Sequence, residues 1–452
     1  MSAKPGIATS QFSLLRHRRF LPLFLTQLGG AFNDNFYKSA LLMLFTYGDI
    51  ERWGFSIDVI NNVVAATLIV PFLLFAPVAG QYADKFEKAR FIRGLKIAEI
   101  GIMALGALAL WLNSAALLVL VLFMTGTQSA CFSPLKYSIL PQHLSPDALT
   151  GGNALLHTGT SLAIFLGMIA GTLALGVVGG YWWVAAGALL VAWLGWRASV
   201  RIPEASAAAP ALRLESNPYR QMRRTLLRGW ENPMVFWCII ASSWYWFLGS
   251  IYLTQLPNFT RSVLSGESLV VSMLLVLFLV GICFGALLCD RLARRQVEPA
   301  VVPLGALLVL LFGLDLAWAG QAFAAAHPPV TEDGLHTLEM MRQWPRAWRV
   351  ALDVLMLGVA GGLYVVPLSA LIQHRSEARH RAQVIAAGNV INALFMVAAS
   401  LVGLIVLGGL EWSIPQLFQV VMAMHLLLTL LVFWRQREFW ERFRQRFLLV
   451  RQ

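Results

Sequence analysis

The chain has 452 residues, of which 58% are hydrophobic and only 13% charged, with a mean hydropathy of +0.67. That composition excludes an ordinary soluble domain and indicates a polytopic membrane protein. The net charge of +12 does not indicate nucleic acid, because Lys and Arg sit in short segments between apolar runs rather than on one soluble face.

Twelve apolar windows are long enough to cross a bilayer: 20–47, 59–82, 92–112, 115–139, 153–178, 181–199, 233–256, 268–289, 299–320, 348–372, 384–409 and 414–434. The first follows Arg16, Arg18 and Arg19 and is too long for a signal h-region, so it is expected to remain as an uncleaved anchor. Sorting the loop Lys and Arg onto alternate sides puts 28 on one side and five on the other (Arg52, Arg261, Arg342, Arg346, Arg349). By the positive-inside rule, both termini and the central loop are then cytoplasmic. Cys131, Cys238, Cys283 and Cys289 lie in or at the ends of apolar segments, with no CxxC pair and no His at metal spacing, so free buried thiols and no metal or cofactor are expected.

The first window contains a costly anomaly. Asn33, Asp34, Asn35 and Lys38 interrupt an otherwise apolar stretch, LGGAFNDNFYKSALLML, although an ionisable group within a transmembrane helix costs at least about 2.5 kcal/mol and usually faces a wet interior. Asp34 and Lys38, at i and i+4, share a helix face; the carboxylate therefore serves either a substrate path or an intrahelical pair that makes it tolerable. Counting from the cytoplasmic ends at 1.5 Å per residue, Asp34 lies about 20 Å deep and Lys136, in the fourth window, about 6 Å, which argues against a direct bridge between them. Lys136 either offers a compact cation to phosphate or snorkels to the cytoplasm.

The central loop 203–230 carries Arg213, Arg220, Arg223, Arg224 and Arg228 and divides the spans six and six. The expected organisation is a six-helix half at 1–200, a basic linker at 201–232, a second six-helix half at 233–435 and a basic tail at 436–452. An internal repeat supports it. Ser133-Pro134-Leu135-Lys136-Tyr137 and the polar close at Gln142 in span four parallel Val366-Pro367-Leu368-Ser369 and Gln373 in span ten. Gly152-Asn153 parallels Gly388-Asn389, and Asp84-Lys85 parallels Asp290-Arg291. Three echoes in consistent order match the parallel halves of major facilitator transporters. Pro134, Pro141 and Pro367 break the helical ladder near span ends, either as kinks or as openings for bending. Asn153 and Asn389 read as helix caps. Glu99, His157, Asp315, Asp353 and His425 are isolated polar groups within or beside spans, each a candidate proton carrier or a structural group. The long outer loop 327–346, with Pro328, Pro329, Glu332 and Asp333, carries no readable role.

Gly80-Gln81-Tyr82-Ala83-Asp84-Lys85-Phe86-Glu87-Lys88-Ala89-Arg90 resembles the signature between helices two and three of the major facilitator superfamily. That resemblance implies a gating role for Asp84, Lys85 and Arg90, with Asp290 and Arg291 as a weaker second copy in which Ala286 replaces the small Gly80; Pro134 and Pro367, read above as kinks or openings for bending, join them as gating candidates. AFNDNFYKSALL, GQYADKFEKAR, FSPLKYSIL, GGNALL and VVPLSALIQ together resemble the bacterial lysophospholipid transporter branch, including transporter halves fused to acyltransferases. The resemblance implies an all-α major facilitator fold of 12 transmembrane helices in two pseudo-symmetric halves, located in the bacterial inner membrane. It also implies a monomeric flippase that delivers lysophospholipid to the cytoplasmic leaflet for an acyltransferase, in contact with membrane lipids.

For that cargo the candidate substrate residues are Asp34 with Asn33, Asn35 and Lys38, then Lys136 and Tyr137, and Gln373. The branch carries a basic residue in helix seven, whereas SSWYWFLGSIYLTQLPN here has no charge. Trp244, Tyr245 and Tyr252 stand there instead, suited to a cation or to an acyl chain. An acyltransferase reading lacks a His and Asp with four residues between them, since His143 and Asp147 have three between and His327 and Asp333 five, and ATP drive lacks a GxxxxGK[ST] loop. Another amphipathic cargo, or a scaffold that docks an acyltransferase through the 435–452 tail, are the competing readings.

Overall fold

In lipid every backbone N–H and C=O must be satisfied within the chain, so long apolar segments can only become helices. The computed structural model describes residues 10–47, 57–215, 232–327 and 335–448, with scattered positions between 217 and 227. Arg52, Arg228, the 328–334 segment and the last four residues lie outside them. Twelve long helices follow in order: α1 Leu21–Tyr47, α2 Ile57–Lys85, α3 Lys88–Trp111, α4 Ala115–Ser138, α5 Pro146–Leu175, α6 Gly180–Val200, α7 Pro233–Ser262, α8 Ser268–Leu292, α9 Val301–Ala326, α10 Pro345–Arg375, α11 Arg381–Gly403 and α12 Ile414–Arg435. Eleven of these, α2 to α12, are long and apolar enough to cross a membrane. The exception is α1, whose 27 residues suffice for a crossing but whose central polar run lowers its hydropathy. A short helix, α13 Arg437–Phe443, follows α12.

The chain packs as two units, Met1–Asn232 with Gln373–Val390, and Pro233–Ile372 with Ile391–Gln452. Because lipid is as apolar as the helices, association relies on close packing at small residues. In the first unit α1 lies against α5, where a Cβ on Gly171 would stand 2.2 Å from Phe36 O. The repeat is visible in packing too. Gly126 of α4 sits on Leu68 of α2, its missing Cβ 3.1 Å from the carbonyl, and Gly358 of α10 sits likewise on Phe278 O of α8 at 2.2 Å. Tyr37, Leu41, Phe45, Ile102, Leu118 and Val184 fill the first interior. Phe247, Tyr252, Phe259, Phe323 and Phe418 fill the second.

Two expectations change here. The fifth helix begins at Pro146 behind Ser145, so Asn153 lies two turns inside it rather than at its cap. Asn389 likewise falls within α11. Lys96, one of the 28 Lys and Arg assigned to the cytoplasmic side as the last of the five between Lys85 and Lys96, is wholly buried in α3.

Candidate functional site

Two groups of the polar run of α1, the buried Asn33 and the half-buried Asp34, are met by complementary groups from α3 and α4. Lys96 and Glu99, one turn apart on α3, form an ion pair of 2.5 Å with side chains 0% and 2% exposed. Glu99 is therefore not an isolated group. Its Oε2 also accepts from Gln128 Nε2 of α4 at 3.0 Å, while its Oε1 accepts from Asn33 Nδ2 of α1 at 3.4 Å. The residues next in sequence make the adjacent rung: Ser129 Oγ of α4 donates to the Asp34 carboxylate. Pairs 33–34 and 128–129 thus face each other across α1 and α4, with Glu99 pinning one member of each. Gly30 makes room for this arrangement, since its Cβ would stand 2.7 Å from Lys96 Nζ.

The intrahelical pair that the spacing allows as the alternative to a substrate role is not formed. Among the described residues no ion pair within 4.0 Å joins Asp34 to Lys38, and Asn35 Nδ2 turns back to Ala31 O at 2.9 Å. Asp34 and Lys136 are likewise unbridged: Ser129, which holds Asp34, precedes Lys136 by seven residues, or about 10 Å along α4. The Lys136 ammonium lies 4.9 Å from the Tyr137 ring centre, and Tyr137 in turn faces His157 at 6.1 Å. Of the ionisable groups just described, two are acids (Asp34, Glu99) and three are bases (Lys38, Lys96, Lys136).

At the same end of the first unit, residues singled out by the repeat meet one another. Asn153 and Gln373 exchange amide hydrogen bonds of 3.0 and 2.7 Å, both side chains buried. Asn389 Nδ2 donates to Ser133 Oγ at 3.0 Å, one residue before Pro134. Pro134 lies within α4 and Pro367 within α10; neither ends its helix.

The signature loop performs a specific task. Asp84, fully buried, accepts from Ala382 N, Gln383 N and Gln383 Nε2, each at 3.1 Å. These donors form the first turn of α11, where unpaired N–H groups and the helix dipole favour an anion. Close approach needs Gly80, since a Cβ there would stand 2.7 Å from the Ala386 Cβ and 2.9 Å from Gln383 Cα. Glu87 caps α3 through Ala89 N at 2.8 Å and also accepts from Ala205 N at 2.7 Å, and Ala209 N bonds Asp84 O at 2.8 Å. The linker thus begins strapped across this loop. The buried base is Lys88, 1% exposed, whose Nζ has no hydrogen-bond partner among the described residues. Arg90 is exposed and Lys85 half-buried. The sequence pointed to those two and passed over Lys88 because a charged loop is ordinarily solvated.

In the second unit Asp290 is buried and Arg291 exposed; the Asp290 carbonyl accepts from Arg295 N at 3.0 Å. The aromatic candidates of α7 diverge. Trp244, 4% exposed, donates from Nε1 to His425 Nδ1 at 2.8 Å and stacks on Phe247 at 4.4 Å. His425 closes the chain at Ala306 O, 2.9 Å. Tyr252 packs on Phe418 at 4.8 Å. Both rings are core, whereas Tyr245 is half-buried beside Gly361. Asp315 pairs with Arg349, one turn before the buried Asp353.

Lysophospholipid transporter LplT of Klebsiella pneumoniae strain 342 is 28% identical over 375 residues, covering 80% of this chain and 82% of its own. LplT of Citrobacter koseri is 26% identical over 412 residues, covering 86% and 89%. Among solved structures, the human organic anion transporter MFSD10 aligns at a TM-score of 0.69 with 17% identity, over 92% of this chain and 99% of that one. The Escherichia coli fucose:proton symporter FucP aligns at 0.65 with 14% identity, over 95% and 100%. At such identities the two structures share the fold alone. The sequence itself matches the Major Facilitator Superfamily over residues 20–330. That match, over more than half of the chain, together with the twelve long helices among the described residues, makes the chain a member of the Major Facilitator Superfamily.

Proposed function

We propose that this transporter moves lysophospholipids across the inner membrane to the cytoplasmic leaflet, where an acyltransferase restores the second chain. The observation that carries the reading is the polar rung on α1, which holds the Asp34 carboxylate against α4, the helix that also bears Lys136. The likeness to LplT over about 80% of the chain supports it. A lysolipid has a phosphate headgroup that must cross a low-dielectric layer and one acyl chain that need not leave it. Lys136 receives the phosphate as a compact cation, and Asp34 receives an ethanolamine ammonium or balances Lys38. Asn33 and Asn35 flank the carboxylate, and Tyr137 and Gln373 border the Lys136 end. The tail stays with lipid throughout.

The cycle alternates access. The Asp84 contacts to α11 lock the cytoplasmic side, with Lys88 as the nearby base and Pro134 and Pro367 as points of bending; Asp290 and Arg291 are the weaker counterpart. The carrier works as a monomer of two six-helix halves, 1–200 and 233–435, with a linker at 201–232, a tail at 436–452 and both termini cytoplasmic. Proteoliposomes containing the purified chain test the proposal, with labelled lysophosphatidylethanolamine, lysophosphatidylglycerol and an unrelated amphipathic drug offered separately. Protein-dependent movement of the lysolipids and not the drug is expected. Movement of the drug alone overturns it.

A further inference from the structure

The C-terminal segment follows from none of this. After α12 the chain turns at Gln436 (φ −126°, ψ 80°) and re-enters helix through α13 and a π-helical continuation, Arg444–Leu448. Twelve residues at 1.5 Å each span about 18 Å. One side is fastened to the ends of neighbouring helices. Phe439 is wholly buried and meets Phe433 of α12 at 5.7 Å. Arg446 donates to Leu292 O, the last residue of α8, at 2.5 Å and pairs with Glu298, just before α9, at 3.7 Å. The segment is thus tied to the ends of three spans that reach the same surface of the unit. A helix so tied lies across the bundle end rather than continuing along a span.

Its adjoining side is apolar and uncovered. Trp440 is 47% exposed, Phe447 36% and Leu448 56%. Trp440, Phe443 and Phe447, at i, i+3 and i+7, fall on one face and form a row with ring centres 5.7 and 5.4 Å apart. Trp434, in the last turn of α12, is 66% exposed with the Arg435 guanidinium 4.9 Å from its ring. The row therefore continues the lipid-facing surface of a membrane span. Between 435 and 448 five arginines stand against two glutamates; Arg446 pairs with Glu298, and Arg437, Arg442 and Arg444 are exposed. Glu441 and Gln445 lie on the opposite face.

We propose that residues 437–448 form an interfacial helix that binds anionic phospholipid headgroups of the leaflet at this end of the bundle. The aromatic row enters the headgroup layer beside α12 while Arg437 and Arg444 meet lipid phosphates. The occupant follows from continuity with a lipid-facing span end and from charge: aromatic rings and arginines at a span end are the chemistry of the membrane–water boundary, and the net positive segment selects anionic lipid. This assignment is independent of the transported cargo.

Site-directed spin labelling of the full chain in vesicles tests it. Cys131, Cys238, Cys283 and Cys289 are first replaced by alanine. Single cysteines are then placed at Trp440, Phe447, Glu441 and Gln445 in separate proteins, so each label leaves the other ring in place. In vesicles containing phosphatidylglycerol, labels at 440 and 447 should collide with oxygen more than with an aqueous nickel reagent, and labels at 441 and 445 the reverse. In an Arg437→Glu/Arg444→Glu background, or in purely zwitterionic vesicles, the contrast should shrink. Equal aqueous access at all four positions overturns the proposal. So does protection at 440 and 447 that vanishes when the protein is diluted below one copy per vesicle, since a second copy would then be the occupant.

Discussion

Removing the Glu99 carboxylate is the sharpest perturbation the first unit offers. Glu99→Leu leaves the Lys96 ammonium, 0% exposed, without its counter-ion, and it strands the Gln128 and Asn33 amides that donated to the same group. Breaking a buried ion pair by deleting one partner typically costs about 3–5 kcal/mol, because the remaining charge keeps its desolvation penalty. The stranded amides add about 1 kcal/mol or more each where no other partner reaches them. Replacing both charges, as in Lys96→Met/Glu99→Leu, removes that penalty; similar exchanges are neutral or stabilising by about 1–4 kcal/mol. Equilibrium unfolding in mixed micelles should therefore rank the single variant well below both wild type and the double variant. Transport should rank differently. The double variant frees Asn33 and Gln128, so the Asp34–Ser129 rung loses its registration, and initial uptake of lysolipid should fall even though the protein is stable. A single variant as stable as wild type would refute the energetic reasoning. A stable double variant with wild-type uptake would show that the pair serves packing alone.

Three further outcomes follow from the same geometry. Asp34→Asn should impair transport in a well-folded protein, because Ser129 can still bond the amide while the charge is lost; wild-type uptake at matched expression would remove Asp34 from the headgroup site. Lys136→Arg should retain partial activity, whereas Lys136→Gln should raise the half-saturating concentration for every phosphate-bearing lysolipid alike; an unchanged titration curve for Lys136→Gln would leave only a snorkelling lysine. Gly80→Leu or Asp84→Asn should shift the balance of states, the first by driving a side chain into Ala386 and Gln383, the second by removing the anion from the start of α11. Cysteine accessibility on the two sides of the membrane reads this shift, and unchanged labelling in both variants would withdraw the gating role.

Much of the architecture was legible in the chain itself, since a bilayer permits little else for segments of this length and apolarity. The repeat marked Pro134 with Pro367 and Gly152-Asn153 with Gly388-Asn389, and the packing of Gly126 and Gly358 shows the same correspondence between helices. The anomaly in α1 was equally plain, because Asp34 stands out against leucine and phenylalanine. Its partners were not. Lys96 looked like the last of a run of loop cations, Glu99 like a stray acid, and Gln128 and Ser129 like ordinary polar residues, since periodicity reports which face of a helix is polar but not which helix covers it. Burial within the signature loop was hidden for the same reason: Lys88 and Arg90 are alike in sequence, and only the docking of α2 on the start of α11 and the strap at Ala205 and Ala209 enclose one and leave the other exposed. Trp244 and Tyr252, aromatic residues in a membrane helix, read equally well as wall or core until His425 and Phe418 were seen to occupy them. Length and hydropathy determined how many times the chain crosses; which charges meet inside was decided by tertiary packing, because an ion pair in lipid depends on the separation of atoms that lie far apart along the chain.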